Sequence, residues 1–477
     1  MTELPLNTMR SEMKSARQAE HLKHRQWGRL GRSVLNGVIG DYLEKQNNPL
    51  AIKMAFYHNF KALTLDENLA HQLDYPLTNK VVVLVHGLTN LETVWDFDRP
   101  ALTDAATAMS QDSLDEYVDN YIESYFDDTS GRSRENYGSK LQSDFGMTPF
   151  FLRYNTGLTL EKNAREFSAL LTKLFSVYPI EIDQLVLVGF SMGGLLTRYA
   201  QAMAMQAKEV PEWRQKLSEC FYIGTPHEGS PLEKFGHITG EVLRHIPKEY
   251  VSHWADWVDV RSEGIQDLKD GLRYLNKATE AENSVCDSFT EHAGHYFISG
   301  AVSKKNTLMN KLVGDSLVRQ KSANPRSAPL NCRNAHFEGV VHMHLANSKR
   351  VYQQIKNWLD EESTRSASLA SCPVKKYAPI KKPYTERNEH DISSQELFAG
   401  TLDLLASGYE KTLETVETMH YAIADEPFSV LQKIPVLSQI ADPIETTHKQ
   451  ILDSVYRVLR NGGKWVHSTA KQISKEE

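Results

Sequence analysis

Ser191 lies in the run Gly189-Phe190-Ser191-Met192-Gly193, which fits G-x-S-x-G. Five-residue patterns of this kind arise by chance, and the bland reading is a glycine-rich turn with an idle serine. The flanks argue otherwise. QLVLV before the motif is an apolar, β-branched run that reads as a buried strand, and GLLTRYA after it reads as a helix. A strand, a sharp turn and a helix in that order hold a serine hydroxyl above the carboxyl edge of a sheet. Flanking glycines relieve the clashes a β-carbon would cause in so strained a turn. The N-terminus of the following helix favours negative charge developing nearby. The chemistry this arrangement supports is nucleophilic attack through a covalent intermediate.

A serine hydroxyl is a poor nucleophile at neutral pH and needs a base. With the serine on such an elbow, the partners follow along the chain as acid and then histidine. Gly314-Asp315-Ser316-Leu317-Val318 follows the strand candidate HYFISGA, where a loop would bring an acid to the site. Val340-Val341-His342-Met343-His344-Leu345 precedes the last amphipathic helix of the α/β pattern, where the base belongs. The expected roles are attack by Ser191, proton transfer by His342 and orientation of the imidazole by Asp315. His344, two residues on, is a rival base. His336, His342 and His344 could also be read as metal ligands, but no third ligand stands at a convincing spacing, so no metal or other cofactor is expected. An oxyanion hole needs two backbone N–H groups. Met192, directly after the serine, would supply one. Leu88, in His86-Gly87-Leu88-Thr89 after KVVVLV, would supply the other.

The elements that must position these residues alternate. KVVVLVHG, PFFLRYN, QLVLVGFS, ECFYIGTP and HYFISGA read as strands; 160–177, GGLLTRYAQAMAMQ and NSKRVYQQIKNWL read as helices. Alternation of this kind means a doubly wound, mostly parallel sheet. The expected organisation is an N-terminal helical arm over 1–33, a catalytic α/β domain over 34–360, a linker over 361–392 rich in Ser, Lys, Pro and Thr, and a helical C-terminal extension over 393–477. A cap insertion over about 230–292 carries Leu243, Ile246, Tyr250, Trp254 and Trp257 at spacings of three and four. It reads as an apolar lid, with Trp254 and Trp257 touching substrate, or as a helical insert simply packed on the core. Residues 111–128 contain seven Asp or Glu and no Lys or Arg, which reads as a solvated acidic face.

The 477 residues carry a net charge of −7. That argues against a general nucleic-acid binder, which would present a basic face. Four cysteines, far apart and without a C-x-x-C pair, read as reduced thiols. Residues 1–27 lack the apolar core of a signal peptide, and no apolar run approaches the ~20 residues that span a bilayer. The expectation is a cytoplasmic protein, with peripheral membrane contact and self-association through the C-terminal helices left open.

Taken together, VLVHGL, GFSMGGLLTRY, TPHEGSP, GDSLV and a histidine before a final amphipathic helix resemble the bacterial esterase/lipase branch of the α/β-hydrolases. TPFFLRYNTG and GVVHMHLANSKRVYQQIKNWL are similar to that group as well, and the resemblance covers roughly 34–360. It implies an α/β-hydrolase fold and hydrolysis of carboxyl esters of acyl or lipid-like substrates. The group's histidine stands in G-V-x-H-x-x-L, which falls on Gly339, Val340, His342 and Leu345 and selects His342 over His344. Its acid stands in G-D-x-L-V, which falls on Asp315. The acidic insert and the C-terminal helices depart from the pattern. The same acyl-enzyme could serve acyl transfer, thioester hydrolysis or amide hydrolysis. A lipid-binding scaffold with a vestigial site is the rival from another class.

Overall fold

A computed structural model of the chain describes residue 29 and residues 32–97, 135–229, 262–270, 289–301, 332–340, 342–367 and 374–377. The chain divides into two compact units, one of residues 1–42 and 52–388, the other of residues 43–51 and 389–477. The first unit holds every described strand. Of the second, only residues 43–51 are described, and they form a helix end and a turn closed by Asn48 N–H on the Leu43 carbonyl. The acidic insert, Asp315, Trp254, Trp257 and the helical C-terminal extension lie outside the described residues.

The first unit begins with helical residues 32–42, here α1. There follow β1 (Ala55–His58), β2 (Lys61–Ala62), β3 (Leu77–Thr78), β4 (Lys80–Val85), α2 (Tyr137–Phe145), β5 (Thr148–Arg153), α3 (Leu160–Val177), β6 (Gln184–Phe190), α4 (Met192–Gln206), α5 (Glu212–Gln215), β7 (Leu217–Ile223), α6 (Glu263–Asp270), β8 (Gly294–Ala301), β9 (Cys332–Glu338), α7 (Lys349–Ala367) and β10 (Lys376–Tyr377). The eight-stranded sheet runs β2-β1-β5-β4-β6-β7-β8-β9. β1 is antiparallel to β2 and β5, and every pairing from β5 to β9 is parallel. This is a doubly wound α/β-hydrolase sheet.

Apolar runs become central strands here because both faces of the sheet are covered. Val81, Val83 and Val85 face a core shared with Leu171, Leu174, Leu195 and Leu196 of α3 and α4. Val82 and Leu84 face the opposite core, with Leu141 of α2 and Val351, Ile355 and Trp358 of α7. Local capping fixes the helix ends. Thr159 accepts from Lys162 N–H at the start of α3, and Asn136 forms a capping box with Ser139 at the start of α2.

The elements not foreseen are those with weak apolar patterns. β9 alternates exposed and half-buried positions along the sheet edge, so its sequence CRNAHFE lacks the run that marks a buried strand. α7 continues past residue 360 to Ala367. Lys376–Tyr377 pairs antiparallel with Leu77–Thr78, so part of the segment read as linker forms regular structure. Among the described residues no helix is long and apolar enough to cross a membrane.

Candidate active site

The strand order reverses beside β4. From β4 the chain moves to β5 on one side, then returns past β4 to β6 on the other. In a doubly wound sheet the carboxyl ends of the strands at such a switch point form the ligand crevice. The loop carrying Leu88 leaves β4, and the turn carrying Ser191 leaves β6. These are neighbouring strands, in register from Lys80 with Gln184 to Val85 with Gly189.

Ser191 is the turn itself, at φ 52° and ψ −119° between β6 and α4. A non-glycine residue at positive φ costs about 1–2 kcal/mol, and it persists where the surroundings over-determine it. Here Ser191 N–H donates to the Ile223 carbonyl at 2.8 Å, and Gly194 N–H donates to the Ser191 carbonyl at 3.0 Å. The turn is also pressed against β4: a β-carbon on Gly193 would sit 2.2 Å from the Val85 carbonyl oxygen. Only glycine fits that approach. Ser191 is buried.

The loop after β4 passes directly over the serine, since a β-carbon on Gly87 would lie 3.0 Å from Ser191 Cβ. Asn90 N–H closes a turn on the Gly87 carbonyl at 3.2 Å, and Asn90 Nδ2 donates to the Leu88 carbonyl at 2.8 Å. Neither bond uses the Leu88 N–H. The Met192 N–H opens α4, where first-turn donors have no partner within the helix.

His342 begins a 3₁₀ turn, His342–Asn347. Its ring lies 5.1 Å, centroid to centroid, from Phe190. It also abuts Gly224, where a β-carbon would come within 3.0 Å of Nδ1 and Cε1. Gly224 follows Ile223, the last residue of β7, whose carbonyl holds the Ser191 N–H, so His342 lies against the residue next to the one that anchors the serine. Burial pushes His342 down to about 4, which leaves a neutral imidazole able to accept a proton at neutral pH. The turn is hung from Tyr137, whose hydroxyl donates to the Leu345 and Ser348 carbonyls, each at 3.2 Å. Burial raises the Tyr137 hydroxyl well above its ordinary range, so it stays protonated and donating.

The structure thus places Ser191, Met192 and Leu88 at the adjoining ends of β6 and β4, with His342 against Phe190 and Gly224. His344 is buried too, so burial does not separate the two histidines; the contact with Gly224 belongs to His342. His336 pairs with Ser299 Oγ at 2.9 Å across the β8–β9 ladder, a cross-strand contact. Among the described residues no group of three or more His, Cys, Asp or Glu is placed to hold a metal ion.

Sequence reasoning passed over the side chains that brace the β4 loop. Arg153, at the end of β5, donates through Nε to Glu92 Oε2 at 2.9 Å, bonds Glu92 Oε1 through Nη2, and stacks over Tyr57 at 3.8 Å. The fork holds the 3₁₀ turn that follows the loop. His86 Nδ1 lies 2.8 Å from the Gly87 carbonyl, and its ring stacks on Tyr154, whose hydroxyl donates to the His86 carbonyl at 3.0 Å. Burial pushes His86 to about 4, so the ring is neutral. The available signal was an arginine ending the otherwise apolar run PFFLR, since a buried charge demands a partner. Nothing in the spacing names Glu92 as that partner.

No protein-family model matches the chain, and no curated protein matches its sequence. Solved structures with likeness to it include an α/β-hydrolase fold protein from Chitinophaga pinensis, 13% identical with a TM-score of 0.32, covering 60% of this chain and 90% of that one. An esterase from Pyrococcus furiosus is 15% identical with a TM-score of 0.31, covering 60% of this chain and 82% of that one. A lipase-esterase related protein from Clostridium acetobutylicum is 12% identical with a TM-score of 0.29, covering 64% of this chain and 98% of that one. The fold assignment rests on the strand order and the Ser191 turn.

Proposed function

We propose that the protein is a serine hydrolase that cleaves carboxyl esters of acyl or lipid-like substrates through an acyl-enzyme. The observation that carries this reading is the strained Ser191 between β6 and α4, with the Leu88 loop passing over it and a neutral, buried histidine against the neighbouring Phe190 and Gly224. In the proposed reaction Ser191 Oγ adds to the ester carbonyl while His342 takes its proton. The resulting oxyanion accepts from the N–H groups of Leu88 and Met192, each such donor contributing about 3 kcal/mol to the barrier reduction. Collapse expels the alcohol, which takes the proton back from His342. Water then repeats the sequence and releases the acid. Asp315 is the proposed partner of His342, and Trp254 and Trp257 the proposed acyl-chain contacts.

The test is hydrolysis of p-nitrophenyl esters over a range of chain lengths, followed before steady state. A burst of p-nitrophenol equal to the enzyme present, lost in Ser191→Ala, is the expected result. Steady turnover that survives Ser191→Ala would remove the serine from the mechanism. A burst discharged faster by added alcohols than by water would turn the reading toward acyl transfer.

A further inference from the structure

We infer that α1, a helix that precedes the sheet in the chain, is the element that sets the oxyanion donor loop, with Ser33 and Gly37 as positioning residues. The inference rests on the serine-hydrolase reading above. Ser33 is buried, and its Oγ donates to the Asn90 carbonyl at 2.7 Å. Asn90 in turn holds the Leu88 carbonyl and the Gly87 carbonyl, so one hydroxyl on α1 fixes the residue that fixes the donor peptide. Gly37, one turn further along α1, presses on Thr89: a β-carbon there would stand 2.4 Å from Thr89 Cγ2 and 3.4 Å from Thr89 N.

Thr89 adjoins Leu88 and sits at φ 61°. That conformation is costly for a β-branched residue. It is held from a second side by Thr156 Oγ1, which accepts from Thr89 N–H at 3.3 Å. α1 is itself anchored by the loops around the site: Asn155 Nδ2 donates to the Gly40 carbonyl at 2.9 Å and Ser262 Oγ to the Gly37 carbonyl at 2.6 Å. The loop with the strained threonine is therefore clamped between α1 and the loop after β5. The direction of the Leu88 N–H depends on how closely α1 can approach, and that approach is limited by the hydrogen at Gly37.

The experiment compares wild type, Gly37→Ala, Ser33→Ala and the double variant Gly37→Ala/Thr89→Gly. Each is assayed for kcat and KM on a p-nitrophenyl ester and for inhibition by an alkyl trifluoromethyl ketone, whose adduct needs the oxyanion donors. Gly37→Ala should lower kcat about 100-fold, as displacement of a catalytic group by about an ångström does. KM should change less than about twofold, and ketone affinity should fall by the same factor as kcat. Removing the Thr89 side chain takes away the atom at 2.4 Å, leaving only the milder approach to Thr156 Oγ1 at 3.3 Å and Thr89 N at 3.4 Å, and suits glycine to φ 61°, so the double variant should recover to within about threefold of wild type. Ser33→Ala, which keeps α1 helical, should lower kcat about tenfold and serves if Gly37→Ala fails to fold. A folded Gly37→Ala with wild-type kcat, a loss that Thr89→Gly does not restore, or an unaffected Ser33→Ala overturns the inference alone. Wild-type protein that a fluorophosphonate does not label at Ser191 overturns it together with the hydrolase reading.

Discussion

The serine side of the site and the histidine side are built by different means. Ser191 and Leu88 sit at the ends of β6 and β4, two parallel strands buried on both faces, and glycines bring backbone against backbone between them. His342 sits on a short 3₁₀ turn beyond the edge strand β9, hung from the Tyr137 hydroxyl and laid against Gly224. The first side takes its shape from backbone packed against backbone between neighbouring parallel strands. The second is as good as a few contacts made between residues up to 211 positions apart.

That difference can be broken from either side, starting with the largest effect. Ser191→Ala should remove about 10⁶-fold of activity while changing stability by less than about 1 kcal/mol. His342→Ala should be comparable, and His344→Ala should leave a measurable fraction. A reversed order for the two histidines in steady-state assays would move the base to His344. Gly193→Val should cost stability instead, about 3 kcal/mol or more by urea unfolding, because its β-carbon meets the backbone of β4 at 2.2 Å and neither element can retreat. A stable Gly193→Val would mean that the elbow is looser than its contacts imply.

Tyr137→Phe probes the histidine side. It keeps the ring, which packs against Trp95, Phe97 and Tyr352, and removes the hydroxyl donor of the buried Leu345 carbonyl, while the Ser348 carbonyl keeps the Tyr352 N–H. The expected cost is about 1–3 kcal/mol, with a fall in kcat at unchanged KM as the turn loosens. Equal loss in kcat and in substrate binding would show instead a general collapse of that face.

The pH response is spread over several buried histidines on both sides of the site. Burial holds His86, His295 and His342 near 4 and His227 well below its usual value. Their unfolded value is about 6.5, so between roughly pH 6.5 and 4 the unfolded chain binds more protons than the folded one. Stability from these groups is therefore flat above about pH 6.5 and falls as pH drops below it, by up to about 1.4 kcal/mol per unit for each histidine. His86→Phe should flatten part of that slope in urea titrations. An unchanged slope would remove His86 from the set.

The two sides were also unequally legible in the sequence. The strands β4, β5, β6, β7 and β8 and the helices α3 and α4 could be read from apolar runs and periodicity, because both faces of the sheet are buried. Ser191 and Leu88 came with them, since strand, glycine and helix are consecutive in the chain. β9 was not legible, because an edge strand with one face toward solvent carries no apolar run. The bracing pairs Arg153–Glu92 and Ser33–Asn90 were not legible either. Each joins residues 61 or 57 positions apart, and a buried polar side chain announces that it needs a partner without saying which. α1 illustrates the same limit: its small and apolar residues mark burial, while its place over the donor loop appears only in the fold.

The central claim is that Ser191 is an activated nucleophile, and the most direct measurement is covalent. Folded wild-type protein treated with a fluorophosphonate and digested for mass spectrometry should carry one phosphonyl adduct, on the peptide containing Ser191, with labelling abolished in Ser191→Ala and strongly slowed in His342→Ala. Folded protein that stays unlabelled, or that carries the adduct on another residue, would contradict the account.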